Sequence, residues 1–191
     1  DGGKFTQKEL IEGIHDGMNR GIITPVVCTS AVNFAGIDMI MKEFELLLPS
    51  PAEVYPTEAY TPAKEVVEIK CDSSAPLTAF VFKTVADPFV GKMSFIRVMS
   101  GTLSANSEVI NAASDSPEKI GKLYTLCGKK QTEVQSAQAG DIVVASKINA
   151  NTSDTLCTTA KLIEFGKIEF PKPCYSMAVK AKSQGDEAKI S

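Results

Sequence analysis

The sequence is short of several features that would place it quickly. It has no excess of positive charge: 20 Lys and Arg stand against 23 Asp and Glu, a net −3. No global basic field marks a nucleic-acid binder, so any RNA contact has to come from a local patch. No apolar run approaches the roughly 18 residues of a membrane helix, and no signal peptide is recognisable, so no membrane is expected. Five cysteines, Cys28, Cys71, Cys127, Cys157 and Cys174, form no CxxC pair. An odd, scattered set argues against a disulfide framework and against a zinc site, and it makes a reducing cytoplasm the expected setting. His15 is the single histidine. Without a nucleophile and base set around it, Ser-His-Asp or Cys-His hydrolysis has no support. A GxxxxGK[ST] phosphate loop, a Mg²⁺-binding Asp motif and an Asn-Lys-x-Asp motif are all missing. What is present is apolar material, 43% against 23% charged, enough for a packed core.

The first fifty residues read as pieces of an α/β layer. "TQKE" at Thr6–Glu9 matches the capping box, with Leu10, Ile11, Ile14 and Met18 following at helical spacing. Gly17 and Gly21 mark the helix end. "IITPVVCT" has the look of a strand buried on both faces. Ile37, Ile40, Met41, Phe44, Leu47 and Leu48 then trace an amphipathic helix, ended by Pro49 and Pro51. Helix, strand, helix is the repeating unit of a doubly wound sheet, and here the neighbouring strands are missing.

Residues 51–74 are proline-rich and read as an irregular linker. From about Ala75 the pattern changes to short β-rich segments, among them "LTAFVFKTVADP", "GKMSFIRVMSGTL", "SEVINAA" and "GDIVVASKI". Asp87-Pro88, Ser100-Gly101, Asn106, Gly128 and Gly140-Asp141 separate them. Strands about ten residues apart predict a small antiparallel barrel over 75–164. "KPCYSMAVKAK" reads as another strand, and "SQGDEAKIS" as the start of a helix.

The order of "ITPVVCTSAVNFAGID", "PLTAFVFKTVADPFVGKMSFIRVMSGTL", "AGDIVVASKINANTSDTL" and "FPKPCYSMAVKAKSQGDEAKIS" resembles bacterial elongation factor G and its paralogues, the ribosomal translocation GTPases. The resemblance runs along nearly the whole chain and is most specific at "ADPFVGKMSFIRVMSGTL". It implies a mainly β chain: an antiparallel β-barrel of the translation-factor second-domain type over 75–164, preceded by a partial α/β segment. Residues 1–50 would be the end of the GTPase domain, 51–74 a linker, and 165–191 the start of the third domain. Asp1 in place of Met fits a fragment of a longer chain.

The resemblance also implies sites. Ser30, Ala31 and Val32 match the fifth guanine-nucleotide motif, where the Ala31 N–H would help read the base and the Ser30 side chain would shape the loop. Read without the family, the same residues are an ordinary strand-to-helix turn. The chain itself is expected to hold no cofactor and to be no enzyme; GTP and Mg²⁺ belong to the intact parent. Lys92, Arg97, Lys119, Lys122, Lys129 and Lys130 are candidates for contact with RNA and protein of the small ribosomal subunit. Isolated surface lysines are as readily a solvated strand face, and "NAASDSPEK" is more acidic than the family's usual stretch. The implied partners are the ribosome and the rest of the parent GTPase, with neither membrane nor DNA among them. A free-standing β-barrel interaction module without a ribosomal role is the alternative.

Overall fold

The structure, a computed structural model, describes residues 3–54, 56–87, 90–159 and 161–182. Helix α1 (Gln7–Asn19) begins where the capping box predicts it. Glu9 Oε2 accepts the Thr6 N–H at 2.8 Å, and Thr6 Oγ1 accepts the Glu9 N–H at 3.3 Å. Each side chain satisfies a backbone donor left free by the first helical turn. Helix α2 (Ile37–Leu47) starts at Gly36, whose φ of +72° suits a residue without Cβ.

Between the helices, the segment expected as a strand has no ladder partner. Residues 22–28 run unpaired among the described residues, and one isolated bridge joins Ser30 to Ala35. A strand is stabilised by its neighbours, and this part of the chain contains none. The α2 stripe is correspondingly bare. Leu47 is buried, while Met41, Phe44 and Leu48 remain about half exposed or more.

The stretch 51–74 is more regular than its prolines suggest. It holds β1 (Thr57–Tyr60) and β2 (Val66–Ile69), an antiparallel pair. Pro56 precedes the first strand and Pro62 lies in the connecting turn, so neither removes a ladder donor. With β13 (Glu164–Phe165) they form a sheet in the order β13-β1-β2.

The remaining strands are β3 (Thr78–Asp87), β4 (Gly91–Ser100), β5 (Thr102–Ser104), β6 (Glu108–Asn111) and β7 (Ser116–Lys119). They continue with β8 (Leu123–Cys127), β9 (Lys130–Val134), β10 (Ser136–Gln138), β11 (Ile142–Ser146) and β12 (Thr155–Cys157). Eight of them make one antiparallel sheet ordered β7-β6-β12-β3-β4-β11-β8-β9, and β5 pairs with β10 separately. Val109 of β6 and Leu123 of β8 come from opposite ends of that ladder yet share one buried cluster with Val81, Ile96, Leu103 and Leu156. Both ends can reach one core only if the sheet curls around it, as in a barrel. Two backbone bonds draw the ends together: the Asn106 N–H donates to the Gly121 carbonyl and the Ile120 N–H to the Ser107 carbonyl. A second cluster of Ala59, Ile69, Ile163 and Phe165 seats the three-stranded sheet on the first. Its link is the edge-to-face pair Phe80–Phe165, with centroids 6.0 Å apart.

Beyond β13 the described residues 166–182 include no strand, although one was expected at "KPCYSMAVKAK". Tyr175, Met177 and Val179 alternate along it, all more than 70% exposed, so its apolar face has no cover. The helix start expected at "SQGDEAKIS" lies outside the described residues.

Candidate functional site

The ladder register sorts the basic residues into separate places. Across β11 and β8, Val144 faces Tyr124 and Ala145 faces Leu123. Chain leaving β11 therefore runs beside Gly121 and Lys122. The result is an open groove of about 570 Å³ lined by Lys119, Gly121, Lys122, Tyr124, Ser146, Lys147 and Val90. Three of the lining side chains are cationic and one is aromatic.

The charges in this groove are not equivalent. Lys122 Nζ lies 2.8 Å from Glu133 Oε2 on β9. That hydrogen bond, with the attraction of the carboxylate, raises the Lys122 pKa and keeps the ammonium charged while offsetting its field. Lys119 and Lys147 are exposed, and no carboxylate lies within ion-pair distance of either among the described residues.

The other candidates stand apart from the groove. Lys129 and Lys130 sit at the tip of the β8–β9 hairpin, where Gly128 takes a φ of +59° in the tight turn. Lys92 is turned inward to the 149–151 loop, with its Nζ donating to Asn151 Oδ1 at 2.9 Å and to the Asn149 carbonyl at 3.3 Å. Arg97 on β4 borders a crevice with Pro51, Thr57, Cys71 and Gly140. The groove thus unites Lys119 and Lys122 of the expected set and leaves out the other four. It adds Lys147 and Tyr124, which sequence reasoning passed over. Lys147 has no distinctive local pattern and is brought to the two lysines by the β8–β11 register, whereas Tyr124 lies two residues from Lys122 in the same segment.

The Ser30 loop is a compact turn. The Ser30 N–H donates to the Ala35 carbonyl at 2.9 Å, and Ser30 Oγ accepts the Asn33 N–H at 3.3 Å. Ala31 and Val32 are exposed, and no acceptor meets the Ala31 N–H among the described residues. No group of three or more His, Cys, Asp or Glu suited to a metal occurs among the described residues. Cys157 is buried in β12, and burial pushes its thiol pKa up, away from the reactive thiolate.

Comparison with known proteins covers the same β unit. Residues 76–159 match the family model described as elongation factor G domain 2. A crystal structure of a protein from Thermus thermophilus superposes with a TM-score of 0.71 at 25% identity, over 99% of this chain. The chain spans 26% of that protein's length. No helix among the described residues is long and apolar enough to cross a membrane. Residues 76–159, which build most of the barrel-like core, are similar to elongation factor G domain 2, and the fold of the chain is similar to that of the Thermus thermophilus protein.

Proposed function

We propose that the chain is a segment of a translational GTPase, and that its β unit rests on RNA of the small ribosomal subunit through the groove of Lys119, Lys122 and Lys147. The observation that carries this reading is the placing of three lysines around Tyr124 in a unit that matches elongation factor G domain 2. Phosphates are drawn by the ammonium groups of Lys119 and Lys147, which form no ion pair among the described residues, and Tyr124 offers a face on which an unpaired base can stack. Lys92 acts as a strut for the 149–151 loop, because its ammonium is already engaged. Arg97, Lys129 and Lys130 make secondary contacts at most.

The Ser30–Val32 turn is the part of a guanine site that this chain would contribute. Its exposed Ala31 N–H suits a carbonyl acceptor such as the base oxygen. GTP and Mg²⁺ do not fit the residues present, since the sequence has no phosphate cradle. We assign their binding to parts of the parent outside these residues, and with it any hydrolysis. Co-sedimentation of the purified chain with small ribosomal subunits at low salt tests the proposal. Retention with the subunits, competed by added salt, is expected; a chain that stays in the supernatant at every salt concentration contradicts it.

A further inference from the structure

The single histidine lies at a joint. His15, half buried on α1, places Nδ1 3.1 Å from the Leu47 carbonyl at the end of α2. Its Nε2 lies 3.4 Å from Glu53 Oε1 in the segment that follows α2. Glu53 is itself held there: its Oε2 accepts the Ser50 N–H at 2.7 Å, and its carbonyl accepts from Asn19 Nδ2 of α1 at 3.2 Å. Two residues earlier, Pro51 presses on the β unit, where a Cβ built on Gly140 would stand 3.0 Å from the Pro51 Cβ. The segment 50–54 therefore bridges the helices on one side and the β10–β11 turn on the other.

Hydrogen-bond chemistry makes this joint sensitive to protons. A carbonyl oxygen only accepts, so Nδ1 carries a hydrogen whenever the Leu47 contact is made. A carboxylate also only accepts, so Nε2 needs a hydrogen of its own. Neutral imidazole has one hydrogen and satisfies one contact; imidazolium satisfies both. Among the described residues no other charge competes for the ring. On α1, Glu12 pairs with Lys8 and Asp16 with Arg20. On α2, Asp38, Lys42, Glu43 and Glu45 form no ion pair, and only the Leu47 carbonyl reaches the ring.

We propose that His15 is a proton-operated clamp that fastens α1 and α2 to the 50–54 segment and so to the β unit. Only the imidazolium ring can fill both contacts, so the joint is tighter in mild acid than in mild base. At the acid end the limit is Glu53. Hydrogen bonds from Ser50, and to a smaller extent the His15 charge, hold its carboxyl below the ordinary carboxylate range, so the partner stays ionised in mild acid.

Two readouts on the full chain test the clamp. Amide exchange, corrected for intrinsic rates, should show residues 50–54 protected about two- to five-fold more at pH 5.5 than at pH 8, the scale of an exposed ion pair. Glu53→Gln should abolish that difference. Nitrogen NMR of the lone imidazole at pH 8 should find the ring hydrogen on Nδ1 in both wild type and Glu53→Gln, a result independent of the exchange data. Protection that is flat with pH in the wild type, pH dependence that survives Glu53→Gln, or a hydrogen on Nε2 at pH 8 would each overturn the proposal.

Discussion

Two buried serines on β4 carry opposite predictions. Ser100 Oγ donates to the Pro76 carbonyl at 2.8 Å and accepts from Thr78 Oγ1 at 2.7 Å, fully inside the protein. Ser100→Ala leaves the buried Thr78 hydroxyl without its partner and should cost about 1–3 kcal/mol. Ser94 Oγ is equally buried and has no partner among the described residues. Ser94→Ala removes an unsatisfied hydroxyl and should be neutral or stabilising by up to about 1 kcal/mol. Urea unfolding of both variants checks the pair, and the reverse order would refute the hydrogen-bond assignment. Next to Ser100, Gly101 adopts a φ of +73°, and a Cβ there would meet Leu77 Cα and N at 2.6 Å. Backbone cannot step aside as a flexible side chain can. Gly101→Ala should therefore destabilise by about 3 kcal/mol or more in the same assay.

Elements differ in how much of their partner set lies within the chain. Strands β3 and β4 are buried between neighbours and share the main core. The 22–28 segment has no ladder, and Val26 is 88% exposed. Hydrogen exchange should be faster at Ile22–Cys28 than at Phe80–Val85 and Phe95–Met99, and equal protection would contradict this account. The same contrast explains what the sequence made legible. The capping box at Thr6–Glu9, the Ser100-Gly101 turn and the Asn106 turn are local chemistry, and each stands where its residues call for it. Strands β1 and β2 were hidden by prolines that turned out to sit before and between them. The groove was hidden for another reason: Lys147 joins Lys122 through a register set by the packing of β11 on β8, which no short stretch encodes. The unpaired segment is the converse case, a strand-like pattern that meets no ladder partner among the described residues.

For the whole molecule, the central question is whether a chain of net −3 charge binds RNA through a local cluster. Overall repulsion opposes binding, so the attraction has to come from lysines without nearby carboxylates. Lys147 meets that condition; Lys119 stands opposite Glu108 on β6 without forming an ion pair, and Lys122 shares its charge with Glu133. The purified chain is expected to turn over no GTP above a buffer control, with or without ribosomes, since its sequence lacks a phosphate loop. A ribosome-stimulated phosphate-release assay checks this, and turnover above control would contradict the assignment of GTP to other parts of the parent.

The most direct test of the groove is a salt series of binding to small ribosomal subunits. Three proteins are compared: the unaltered chain, Lys119→Ala/Lys147→Ala, and Lys129→Ala/Lys130→Ala. Each phosphate contact contributes about 0.7 to 0.9 to the slope of log K against log salt. Losing both groove lysines should lower the slope magnitude by about 1.4 to 1.8, while the hairpin-tip pair leaves it unchanged. A groove variant whose slope matches that of the unaltered chain would show that these lysines are a solvated surface and not a phosphate-binding site.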